Sequence, residues 1–146
     1  MRVAEHTVIS AVAGGVVYYF SKSPVSAGSA FLAGIFIDID HFVDYFLNVA
    51  FRIDIKDFFR KCTTYSMKKF YVPLHSYEVI LLLIAVNLAV KSEIALGVLV
   101  GFSVHLMADL SGNFTKVLSY SLIYRIAKKF DSGKMYTPPY GNNKKF

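Results

Sequence analysis

The stretch Ile94–Gly112, IALGVLVGFSVHLMADLSG, decides how the rest of the chain reads. It is nineteen residues long, carries a single carboxylate, and shows no alternation of apolar and polar residues. A strand of that length and uniformity is not expected, whereas a helix of about 17–25 apolar residues crosses a hydrocarbon core. Three further blocks share the pattern: Val3–Phe20, Val25 to about Leu47, and Val72–Val90. The linkers SKSP and KSE are too short for anything but hairpin turns, so the blocks pair as two helical hairpins. Val117–Ala127 is shorter and amphipathic, suited to lying at an interface. From Asp131 the chain is rich in turn residues. The expected architecture is therefore all-α: a four-helix transmembrane bundle with a short C-terminal amphipathic helix. Residues 1–130 form one helical membrane domain and 131–146 a flexible tail.

Composition agrees. The chain has 146 residues, 55% hydrophobic and 18% charged, with a mean hydropathy of +0.46. Soluble domains average about 25% charged residues and show polar stripes on their helices. The runs LLLIAV (81–86) and IALGVLV (94–100) have none. Disordered, collagenous and disulfide-rich classes are excluded, the last because Cys62 is the lone cysteine. The first block lacks a basic leader beyond Arg2 and carries Glu5 and His6, so it is expected to remain as a span.

Fourteen of the sixteen Lys and Arg fall on the side shared by the N-terminus, the loop between the second and third blocks, and the C-terminus. Only Lys22 and Lys91 fall on the other. Basic residues stay cytoplasmic, which places both termini inside. The net charge of +6 is then suited to anionic headgroups. No nucleic-acid recognition motif accompanies it, so no nucleic acid is expected as a partner. Nothing in the sequence sets an oligomeric state.

Ionisable groups inside spans cost about 2.5 kcal/mol or more each at the bilayer centre and are functional candidates by default. Here they cluster. His6 opens the first block; Asp38, Asp40, His41 and Asp44 end the second; His75 and Glu78 open the third; His105 and Asp109 end the fourth. With alternating span directions, all four His fall near the cytoplasmic end. Imidazole with carboxylate suits a divalent metal, with Zn, Mn and Fe the candidates. His105 and Asp109 are four residues apart on one helix face, and His75 and Glu78 three apart. Asp38 and Asp40 lie about 160° apart on a regular helix, so one ion cannot take both unless the helix breaks. One is expected to ligate, the other to take a second ion or orient a His. Small-residue lines run into these positions: Gly97–Gly101–His105, Ala30–Gly34–Asp38, and His6–Ser10–Gly14. The candidate ligands are His6, Asp38, Asp40, His41, His75, His105 and Asp109. Asp40 or Glu78 is the candidate general base. Arg52, Arg60, Lys68 and Lys69 are basic side chains that suit an anionic headgroup.

The ordered set D-I-D-H (38–41), L-H-S (74–76) and H-L-M-A-D (105–109) resembles the YdjM-like membrane-bound metal-dependent hydrolases, small prokaryotic inner-membrane proteins. His6 matches that family's early His, and the resemblance spans residues 6–109. Many members carry H-R-x-x-T-H-S, with an extra His. This chain has Phe70 there and Leu74 in place of Thr, and Glu78 stands near enough to replace the missing ligand. The family is distantly similar to zinc-dependent phospholipase C and related nucleases. The resemblance implies zinc-assisted phosphoester hydrolysis, with a membrane lipid among the substrates, by an integral protein of the prokaryotic plasma membrane.

Overall fold

The computed structural model describes residues 3–49 and 54–137. It is all-helical, and among the described residues only isolated bridges pair extended backbone. The helices are α1 (Val3–Ser21), α2 (Pro24–Phe36), α3 (Asp40–Val49), α4 (Ile55–Thr64), α5 (Tyr77–Val90), α6 (Glu93–Gly112), α7 (Leu122–Ala127) and α8 (Ser132–Met135). Single 3₁₀ turns occupy Ile37–Ile39 and Val117–Tyr120. The chain divides into two compact units, residues 1–37 with 77–113 and residues 38–76 with 114–146.

The first unit holds α1, α2, α5 and α6. Its hairpin turns follow from local chemistry. Ser23 caps α2, its hydroxyl accepting from the Ser26 N–H at 3.1 Å, with Pro24 at the first helical position. Ser92 caps α6 through the Ala95 N–H at 3.1 Å. Lys22 and Lys91 end the preceding helices in the left-handed region, at φ 54 and 50. Their N–H groups donate to the carbonyls of Tyr18 and Asn87, each at 2.9 Å.

α2 packs against both α1 and α6. The approach to α6 is close because Gly97 and Gly101 carry no side chain. A Cβ at Gly97 would collide with the Ser26 carbonyl oxygen, and one at Gly101 with that of Ala30. The outside of this unit is apolar. No described residue of α5 is buried, and Leu81 and Leu88 are each 66% exposed.

The spans differ from those expected. α6, 20 residues, is the one described helix long and apolar enough to cross a membrane. α5 is apolar but has 14 residues, because Val72–Ser76 forms irregular chain ahead of it. The second block is two helices, interrupted by the 3₁₀ turn at Ile37–Ile39.

The second unit is built on two small cores. Tyr45, Phe58 and Met67 form one, with Cys62 against it. Phe70, Val72, Met135 and Tyr136 form the other. The segment from Asp131, expected to be loose, is therefore packed as far as Thr137. Lys116 N–H donates to the Met135 carbonyl at 2.8 Å, and Thr137 N–H to that of Phe114 at 2.7 Å. Residues 138–146 of the expected tail lie outside the described residues, as does Arg52. The expected helix over 117–127 is broken by Ser121, which leaves helical backbone to cap α7 through the Tyr124 N–H at 3.2 Å. Its amphipathicity is inverted: Val117, Leu118, Ile123 and Ile126 are exposed, while Ser119, Tyr120 and Arg125 are buried.

Burial and the nearby Asp44 and Asp38 carboxylates push the Cys62 thiol up to about 12. At pH 7.5 almost no thiolate forms, and thiolate is the nucleophile. Folded protein should resist maleimide over a time that labels denatured protein fully, a difference read by mass spectrometry.

Candidate metal centres

Six of the seven candidate ligands make two groups of three, one within each unit. In the first unit these are His6, His105 and Asp109, whose donor atoms all lie within 4.8 Å of one another and which are all buried. α6 supplies His105 and Asp109 from one face; α1 brings His6. His6 Nε2 lies 3.2 Å from Asp109 Oδ1, and His105 Nε2 lies 3.7 Å from Oδ2. The two imidazoles stack, with centroids 4.1 Å apart.

The tautomer of His105 follows from its other nitrogen. Nδ1 lies 2.7 Å from the Gly34 carbonyl oxygen, which can only accept, so Nδ1 carries the proton. Nε2 of the neutral ring then turns a lone pair toward a carboxylate. Two acceptors facing each other in a buried site call for a cation between them, a proton or a metal ion. Outer-shell partners complete the arrangement, for Asn113 Nδ2 donates to Asp109 Oδ1 at 2.7 Å. The Nδ1 atom of His6 is buried with no hydrogen-bond partner.

In the second unit the group is Asp38, His41 and His75, again within 4.8 Å. His75 Nε2 lies 3.4 Å and His41 Nε2 3.6 Å from Asp38 Oδ1. Asp38 lies in the 3₁₀ turn and Asp40 opens α3, and their carboxylates part. Asp38 faces this group, whereas Asp40 turns into the 74–75 segment. Its Oδ2 accepts from the N–H groups of Leu74 (2.8 Å) and His75 (3.3 Å), and lies 3.1 Å from His75 Nδ1. A carboxylate accepts, so His75 Nδ1 is the protonated nitrogen and Nε2 offers its lone pair to the group. Carboxylate and imidazole are thus arranged as they are around metal-bound His residues.

The two groups differ in access. The first has every member buried. In the second, His75 is 2% exposed, but Asp38 and His41 expose 29% and 30% of their side chains. Either group could hold a divalent ion; only the second keeps an open side.

Of the other expected residues, Asp40 is placed as the partner of His75. It is buried, with Oδ2 held by three donors and Oδ1 3.0 Å from His75 Nδ1. Glu78 lies half-buried in the first turn of α5 and belongs to neither group. Ser76 is buried and donates to the Pro73 carbonyl at 2.9 Å, a role at the start of a helix. Asp44 is buried and accepts from the Tyr71 N–H at 2.8 Å. Arg60 pairs with Asp57, and Lys69 donates to the Lys129 carbonyl at 2.7 Å.

Sequence reasoning missed two residues. Asn48 holds both the N–H and the carbonyl of Lys69, at 2.9 and 3.2 Å. Arg125, counted there only as a basic charge, is fully buried. Its signal was present: it is the one charge within LIYRIA. Comparison with family models, curated proteins and solved structures gave no match.

Proposed function

We propose that the protein is a membrane-embedded, zinc-dependent hydrolase acting on a phosphoester at the cytoplasmic face of a prokaryotic plasma membrane. A lipid phosphoester is the first substrate to test. The observation that carries the reading is the partly exposed group of Asp38, His41 and His75, with His75 held by the buried Asp40. Asp38, His41 and His75 would hold a divalent ion there, which would supply Lewis acidity and a more acidic water. Asp40 fixes the His75 ring, and the open side admits the substrate. The general base in this reading is one of the two carboxylates named from the sequence, Asp40 or Glu78, and the amide variant of the one that serves (Asp40→Asn or Glu78→Gln) should lower the turnover rate by about 100-fold or more. A variant that keeps the wild-type rate would remove its carboxylate from the mechanism. The assay is release of phosphate or headgroup from vesicles and from soluble phosphodiesters, with chelator-treated protein as control.

The membrane part rests on the fourteen-to-two distribution of Lys and Arg and on the apolar exterior of the first unit. In this reading α1, α2, α5 and α6 sit in the bilayer, and the exposed Val117, Leu118, Ile123 and Ile126 rest at the interface. A cysteine introduced at Lys56 should be labelled only from the cytoplasmic side; labelling from outside would reverse the orientation.

A second reading, metal binding or transport without hydrolysis, is favoured by the enclosed group of His6, His105 and Asp109. A closed site suits retention of an ion. Full metal occupancy with no hydrolysis in any of the assays above would select it.

A further inference from the structure

Arg125 sits in α7 and is fully buried. Nη1 donates to the carbonyl oxygens of Tyr71 and of Val72, the latter at 2.7 Å, and Nη2 donates to that of His75 at 3.2 Å. The Phe70 ring centroid lies 5.7 Å from the guanidinium carbon. Burying a guanidinium costs several kcal/mol, offset only by charge-assisted hydrogen bonds in a fixed fork. All three acceptors here belong to residues 71–75, the short segment that carries His75.

That segment is strained. Val72 has φ 26, a left-handed value for a β-branched residue, and its side chain is fully buried. Such a conformation is costly and persists only where the surroundings over-determine it. Arg125 grips the carbonyls on either side of the Val72 α-carbon. The Tyr71 N–H is held by Asp44, and the His75 N–H reaches back to the Val72 carbonyl at 3.1 Å. The turn so made delivers the Leu74 and His75 N–H groups and His75 Nδ1 to one oxygen of Asp40.

We propose that Arg125 is a positioning residue for His75: it clamps the strained turn at Val72 so that the ring meets Asp40 through Nδ1 and presents Nε2 beside Asp38 and His41. The importance of that nitrogen rests on the metal reading above, but the geometry can be measured without metal.

The test uses the full chain in detergent, labelled with ¹⁵N-histidine, at one fixed pH. In metal-free wild type, the His75 side-chain shifts should report the Nδ1–H tautomer. Arg125→Lys places one ammonium where three carbonyls need a planar fork, and His75 should become a mixture of tautomers. His105, held by Gly34, should keep its own. Cobalt(II) titration of the same variant should show binding at the His75 group weakened about 10–100-fold, as for other outer-shell losses, with the His105 group unchanged. The second variant adds Val72→Gly to Arg125→Lys. Glycine takes positive φ without strain, so the turn can form unclamped and the His75 tautomer should return. If Arg125 served packing alone, deleting a buried valine would make matters worse. An unchanged His75 tautomer in Arg125→Lys, or failure of Val72→Gly to restore it, overturns the proposal. Absence of cobalt binding in wild type overturns the metal reading instead, and the tautomers still decide the role of Arg125.

Discussion

Gly101→Val should destabilise the first unit by about 3 kcal/mol, the upper end of ordinary over-packing penalties, or more. A Cβ at Gly101 would overlap the Ala30 carbonyl oxygen and crowd the Gly34 nitrogen. Both are backbone atoms, so relief requires α2 and α6 to separate as bodies; no side chain can rotate away. Valine adds two methyl groups to that overlap. The damage reaches the site, because His105 lies one turn along the same line and its Nδ1 proton is held by Gly34. Gly28→Ala is the matched control. Nothing lies within 4 Å of a Cβ there, and alanine in a helix gains up to about 1 kcal/mol over glycine. Thermal unfolding in one detergent should therefore move the two variants in opposite directions. Equal midpoints would mean that α2 and α6 do not meet at Gly101.

The second large effect concerns metal content. No residue belongs to both groups, so in the metal reading an ion held by one should survive loss of a ligand from the other. His105→Ala should remove one ion and leave the other, and His75→Ala should do the converse. Each variant deletes a ligand of a three-residue set, so the loss should exceed the about 10–100-fold that removal of an outer-shell partner costs. Asp40→Asn should show that smaller effect, and at the His75 group alone. Metal analysis after dialysis against a weak chelator reads all three. Loss of both ions on either His→Ala substitution would mean one shared site.

Much of the first unit could be read from the chain. Ser23-Pro24 and Ser92 mark helix starts, the tiny linkers force hairpins, and Gly97, Gly101 and His105 lie on one face by spacing alone. His105 and Asp109 were paired for the same reason. Those are local rules, which depend on helical period and capping. What stayed hidden depends on tertiary pairing. Spacing alone does not divide the four His into His6 with His105 and His41 with His75; that division follows from which elements pack together. Helical period sets Asp38 and Asp40 apart, yet only the structure shows which of them turns to His75 Nδ1. Met135 and Tyr136 sit among turn formers, and nothing local reveals that Phe70 and Val72 cover them. Arg125 was hidden for a related reason. A basic residue in a short amphipathic stretch suggests exposure, and only the carbonyls of Tyr71, Val72 and His75 make its burial tolerable.

The proposed function stands on His and carboxylate side chains that could hold a metal ion in each of two groups. Zinc-edge X-ray absorption on protein of measured zinc content tests it most directly. The account predicts two zinc ions per chain, each with two imidazole nitrogens at about 2.0–2.1 Å and a carboxylate oxygen at similar distance. Protein that takes up no zinc, or zinc whose spectrum lacks imidazole scattering, would contradict it.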